Sequence, residues 1–320
     1  MRVLVTGMGG ELGTRVAQVL EERDDIDEIV GVDFVPPRRR LRRSEFHRID
    51  PLERERLADF VTTLAPDAVV HVGVYEPYAR LDPRGAQQYT EACTVTALGA
   101  AARAGKLRRI VVRSGVEIYG RGRGRAAVPD EHAAAAPTTA FGHSCLQVEA
   151  IASAVGRAQH APVTAVRLAP VVGSHVPSPL GRLLRLPLVP VPALADPAFA
   201  LVSPEDASRA LVAALGRDHD GPLNVVGPGA ASPWQAVRLG GRVPFPVLAA
   251  GWQVAYRMVE LAGAPIPSHV AELLAKGRAA DGARALEVLG LGRLRSTLEI
   301  CVELFEWATV THIRASQAAA

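Results

Sequence analysis

The first half of the chain alternates short apolar runs with stretches whose apolar residues recur at helical spacing. The runs predict strands at Val3–Thr6, Glu28–Asp33, Glu45–Ile49, Ala68–Val72, Arg109–Ser114 and Val163–Leu168. Helices are predicted between them over Glu11–Glu22, Leu52–Leu64, Arg84–Ala104 and Thr139–Gln159. Strands this continuously apolar are buried on both faces, so the class is α/β, a doubly wound parallel sheet covered by helices on either side. After Arg167 the texture changes. Prolines crowd positions 170–197, Leu201-Val202 and Asn224-Val225-Val226 read as short strands, and Val247–Leu261 and Leu273–Glu306 read as helical before an alanine-rich tail, Ala315–Ala320. We therefore expect a nucleotide-binding domain over 1–170, with 199–226 adding its late strands and helix. A smaller interleaved carboxyl-terminal cap takes 171–198 and 227–320.

The first strand runs into Thr6-Gly7-Met8-Gly9-Gly10-Glu11-Leu12-Gly13 and then a helix. Glycines at 7, 10 and 13 suit a tight turn, close approach of backbone to a pyrophosphate and close helix–strand packing. The free N–H groups of the helix start suit phosphate. Asp33 ends the second strand 20 residues beyond Gly13, where a carboxylate accepts hydrogen bonds from ribose hydroxyls and repels a 2′-phosphate. This context makes the sheet a Rossmann sheet and favours NAD over NADP. The expected cofactor contacts are Gly7, Met8, Gly10, Glu11, Leu12, Gly13, Asp33, Asp50, Pro51, Val72, Gly73 and Ser114. Arg38-Arg39-Arg40 with Arg42-Arg43 reads as a solvated loop, with a 2′-phosphate site as the alternative.

Composition narrows the field. The formal net charge of +3 is a small excess of bases, with no basic stripe for nucleic acid. Cys93, Cys145 and Cys301 are far apart without ligand spacing, which points to a reduced compartment. Nine histidines include no i, i+4 pair, so no metal site is expected. The chain opens directly on a strand and has no apolar run of membrane-spanning length, because prolines, Arg185 and Asp196 break the segment near Leu183–Val202. A cytoplasmic protein is expected.

Several segments together resemble the extended short-chain dehydrogenases, the NAD-dependent epimerase/dehydratase group that includes UDP-galactose epimerase. Thr6-Gly7-x-x-Gly10-x-x-Gly13 matches that group's cofactor turn, and His71-Val72-Gly73-Val74 resembles its His-Leu-Ala-Ala. Ser114-Gly115-Val116-Glu117-Ile118-Tyr119-Gly120 lines up with its Ser-Ser-x-x-Val-Tyr-Gly. Arg167-Leu168-Ala169-Pro170 follows its Arg-x-x-Asn, and Asn224-Val225-Val226-Gly227 its Asn-Val-Gly. The resemblance implies hydride transfer to NAD, a small-molecule substrate and a homodimer built on the two long alanine-rich helices.

It also implies a serine, a tyrosine and a lysine for proton transfer. The corresponding positions here hold Gly115, Phe141 and Cys145, with Thr90 and Pro170 where the group carries asparagines. Phe141 has no proton to move and Cys145 carries no positive charge. Replacement acid–base candidates are Tyr75 and Glu76, in the loop after the fourth strand, and Glu117 beyond Gly115. Two functions remain open. One is an atypical oxidoreductase or epimerase-type enzyme acting on a small polar or sugar-derived metabolite. The other is a catalytically inactive NAD-binding protein that senses the nucleotide or supports a partner.

Overall fold

The computed structural model describes residues 1–77, 81–122, 124–174, 176–248 and 251–305. Seven parallel strands form the central sheet: β1 (Arg2–Thr6), β2 (Glu28–Asp33), β3 (Glu45–Arg48), β4 (Ala68–His71), β5 (Arg109–Gly115), β6 (Val163–Leu168) and β8 (Gly221–Val225). Their order is β3-β2-β1-β4-β5-β6-β8. Because strand order reverses between β1 and β4, a crevice opens beyond their carboxyl ends. The doubly wound expectation holds, and each predicted strand of the first half is found within two residues of its expected bounds.

Helices α2 (Arg54–Leu64), α3 (Pro83–Arg103) and α4 (Ala140–Gln159) pack side by side, while α1 (Glu11–Leu20) packs on α6 (Pro204–Leu215). α1 buries Leu12, Val16, Ala17 and Leu20, one apolar stripe at helical spacing. α6 is started by Ser203, whose hydroxyl accepts from the Asp206 N–H, with Pro204 in the first turn.

The second half departs from expectation. Leu201-Val202 is no strand: Val202 makes only an isolated bridge to Val171. A two-stranded parallel sheet that was not expected pairs β7 (Leu188–Pro192), within the proline-crowded 170–197, with β9 (Val243–Val247). Each strand is an edge, so its prolines cost no central ladder bond. The helix read over Val247–Leu261 is α8 (Trp252–Leu261), preceded by β9. The run read over Leu273–Glu306 is broken into α9 (Ser268–Lys276), α10 (Ala283–Leu289) and α11 (Thr297–Phe305). Gly277 and Gly290 end α9 and α10, and both hold positive φ. α5 (Pro179–Leu184) and α7 (Pro233–Leu239) complete this part. Its own apolar cluster gathers Leu183, Val191, Phe199, Val237, Leu273 and Leu304. Glu306 and the Ala315–Ala320 tail lie outside the described residues.

Candidate cofactor groove and active site

The crevice between β1 and β4 is a groove of about 320 Å³, lined among others by Gly7, Gly10, Glu11, Leu12, Gly13, Asp33 and Val72. Its glycines have separate causes. Gly7 has φ +71°, and a Cβ there would lie 2.7 Å from the Gly73 nitrogen. A Cβ on Gly13 would lie 2.0 Å from the Gly7 carbonyl oxygen. Gly10 differs: its φ is −68° and a Cβ would meet nothing closer than 3.4 Å. Protein packing therefore leaves room for a side chain at Gly10, and the bare backbone opens the start of α1 to the groove.

Asp33 is buried at the end of β2. Its Oδ2 accepts from the Gly9 N–H at 3.0 Å and its Oδ1 from the Phe34 N–H at 2.7 Å. Burial pushes its pKa up to about 6, against the lowering effect of the backbone N–H groups of Phe34, Val35 and Gly9. Phe34, Tyr75 and Tyr89 cluster beside it, with ring centroids 5.1 to 5.7 Å apart. The Tyr75 hydroxyl reaches Asp33 Oδ1 at 3.4 Å. That phenol is pushed well above its ordinary pKa, first by burial and then by Cys93 and Asp33.

The other predicted contacts divide. Asp50 accepts from the Tyr89 hydroxyl at 3.3 Å and the Leu52 N–H at 2.9 Å, at the margin of the aromatic cluster and outside the groove lining, as is Pro51. Met8 is fully buried beneath Gly31. Gly73 packs against Cys93. Ser114 lines a second, inner cavity. The arginine run is more tethered than a free loop. Arg39 pairs with Glu11 at 3.1 Å, and Arg43 donates to the carbonyls of Leu20, Glu21, Arg23 and Ile26 beyond the end of α1.

The inner cavity has a free volume of only about 30 Å³, room for one or two waters. Gly115, Phe141, Pro170, Glu76, Glu117, His269 and Arg278 line it. Glu117 occupies the place of a side chain at 115, since a Cβ on Gly115 would lie 2.3 Å from its Oε2. Gly115→Ser is therefore expected to destabilise the fold by about 1–3 kcal/mol, readable as a lower denaturation midpoint; an unchanged midpoint would show that Glu117 yields freely. Glu117 is held by Arg278 at 3.1 Å, and Arg278 also pairs with Glu272 at 2.8 Å. Cys145 is fully buried, its thiol pushed well above its ordinary pKa by burial and then by Glu117, so it supplies no nucleophile.

The three acid–base candidates thus separate. Tyr75 stands at Asp33 and Glu117 is locked in an ion pair. Glu76 remains at the inner cavity, accepting from His269 Nε2 at 2.8 Å. His269, on α9, is buried with its ring 5.0 Å from that of Phe141. His269 Nδ1, the other ring nitrogen, is buried and has no hydrogen-bond partner. Nothing in the sequence near His269 or Arg278 flags them, because they reach the site through the packing of α9.

Among the described residues no group of three or more His, Cys, Asp or Glu could hold a metal ion. No described helix is long and apolar enough to cross a membrane.

The sequence model of the NAD-dependent epimerase/dehydratase family matches residues 3–224. An uncharacterized protein of Mycobacterium tuberculosis is 31% identical over 265 residues, covering 77% of this chain and 67% of that protein. A protein of Mycobacterium bovis matches to the same extent. Similar solved structures include a UDP-glucuronic acid 4-epimerase from Bacillus cereus in complex with NAD (TM-score 0.71, 19% identity, 95% of this chain and 97% of that one). A UDP-glucose 4-epimerase from Brucella ovis in complex with NAD is alike as well (TM-score 0.71, 20% identity, 94% and 96%). At these identities the likeness is one of fold.

Proposed function

We propose that this chain, which belongs to the NAD-dependent epimerase/dehydratase family, binds NAD(H) in the groove and acts as an oxidoreductase or epimerase-type enzyme. Its substrate is a small polar or sugar-derived metabolite, and Glu76 with His269 moves the proton. The observation that carries the reading is Gly10. The fold has room for a side chain there, so its absence serves a ligand, and a pyrophosphate is what a helix start beside three glycines fits.

When bound, the nicotinamide supplies a hydride acceptor or donor. The chain's own residues do the rest. The first-turn N–H groups of α1 face phosphate, and the glycines at 7, 10 and 13 let it approach; the Gly7 N–H itself is given to the Val32 carbonyl. Asp33 accepts from the adenosine ribose hydroxyls, the Tyr75 hydroxyl giving up its long contact to them. The position of Asp33 favours NAD over NADP. His269 Nδ1 takes the proton of a substrate hydroxyl, and Glu76 stabilises the imidazolium that forms. A homodimer through α3 and α4 belongs to the same proposal.

A second reading, a nucleotide sensor without turnover, is favoured by one observation: the inner cavity is nearly filled by side chains. Two tests separate the readings. Titration with NADH and NADPH, followed by nucleotide fluorescence, should show tight NADH binding that Asp33→Ala weakens; no binding of either nucleotide sinks both. Turnover screened with UDP-glucose and UDP-glucuronic acid should be lost in Glu76→Gln and His269→Asn with NADH affinity kept. Turnover unchanged in both variants removes the pair, and none in the parent protein favours the sensor.

The acid–base state of Asp33 gives a further prediction. Ribose hydroxyls donate to the ionised form, and the folded-state pKa near 6 sets where that form is lost. NADH affinity should fall about 10-fold per pH unit below 6, whereas Asp33→Asn should be weak and flat. A parent profile flat down to pH 5 would show that this carboxylate does not hold the ribose.

A further inference from the structure

Arg113 and Arg278 line the inner cavity, and Arg278 is committed, as is the buried Arg167 on β6. Arg278 is held by Glu117 and Glu272, and Arg167 by Glu149 at 2.7 Å. Arg113, on β5, is half-buried and makes no ion pair among the described residues. Its Nη1 donates to the Val74 carbonyl at 3.0 Å, which ties the guanidinium to the loop after β4, the neighbouring strand. Arg113 lines both the cofactor groove and the inner cavity, so its head stands where the two meet. The carboxylates nearest that junction are otherwise engaged: Glu76 with His269, Glu117 with Arg278, Glu149 with Arg167 and Ser114. A guanidinium has five donors in a planar fork, and the bond to a carbonyl leaves it without a carboxylate partner among the described residues.

We propose that Arg113 is a binding residue for the inner half of a dinucleotide, donating to its inner phosphate and second ribose. This rests on the reading of the groove given above. Two points choose a dinucleotide over an anion in the inner cavity. That cavity is lined by Glu76 and Glu117 and admits only one or two waters. The groove presents the start of α1 to phosphate from its other side. Arg113 also supplies positive charge beside Cys145, where the sequence has no lysine.

The test compares three probes, NADH, ADP-ribose and AMP, binding to the full chain. AMP carries the adenosine and its own phosphate but neither the inner phosphate nor the second ribose, both of which the other two probes supply. Arg113→Ala should weaken NADH and ADP-ribose about 10-fold or more and leave AMP within about 2-fold. Arg113→Lys should fall between, because it keeps the charge and loses the fork. NADH binding unchanged in Arg113→Ala, with Asp33→Ala still weakening it, overturns the assignment and leaves the groove reading intact. Equal loss for AMP also overturns it, since the effect is then general to the groove. A parent protein that binds none of the three overturns the groove reading and this inference with it.

Discussion

Gly10→Val is expected to weaken NADH binding by about 100-fold or more while the protein remains folded. Two backbone N–H bonds to an anionic phosphate are worth about 1.5–3 kcal/mol each, and a branched side chain at the start of α1 would hold the phosphate off both. The backbone does not object, because Gly10 has φ −68° and a Cβ there would meet the Gly7 carbonyl oxygen at 3.4 Å, an ordinary contact. Loss of glycine as the helix N-cap should cost stability about 1 kcal/mol at most. Gly13→Ala is the control with the opposite signature. Its Cβ would lie 2.0 Å from the Gly7 carbonyl oxygen and 2.8 Å from the Met8 Cα, so the turn and helix must part, at about 1–3 kcal/mol or more. Fluorescence titration and denaturant melts of both variants read the two effects separately. A Gly10→Val protein that binds NADH as the parent does would show that nothing approaches the backbone there.

The contrast shows what the sequence carried. Strand–glycine–helix spacing and Asp33 at the end of β2 were legible because they follow from local chemistry: φ, N–H direction and the period of burial. β7 and β9 were not. Prolines alternate along both, and only pairing with each other, one proline in each of four consecutive pairs, makes them strands. Of the proposed acid–base pair, Glu76 was legible on its loop after β4, but its partner His269 was not. Glu76 and His269 lie 193 residues apart, and His269 sits among Val270, Leu273 and Leu274 on the buried face of α9, where a histidine looks like one more core position. Gly115 shows the reverse case. Its missing side chain marks no catalytic serine in the sequence, but only the structure shows that Glu117 has taken the space.

Arg167→Met is expected to destabilise the protein by about 3–5 kcal/mol, whereas Arg167→Met with Glu149→Leu should cost much less. Both partners are buried, and the guanidinium meets the carboxylate through Nε to Oε1 at 2.9 Å and Nη2 to Oε2 at 2.7 Å. Arg167 Nη1 donates to the Tyr119 hydroxyl at 2.9 Å, that hydroxyl donates to Asn224 Oδ1 at 2.8 Å, and Asn224 reaches the Asp281 carbonyl at 3.0 Å. The chain of bonds joins β5, α4, β6, β8 and the segment before α10. Removing the arginine alone strands a buried carboxylate, and the desolvation it then suffers without compensation is the larger part of the cost. Removing both charges gives up the attraction together with both desolvation penalties. Denaturant midpoints for the two single variants and the double variant form a cycle that isolates the coupling; additive costs would show that the pair is not acting as one unit. The same bonds fix the role of Ser114. Its hydroxyl donates to Glu149 Oε1 at 2.5 Å, so it serves the ion pair.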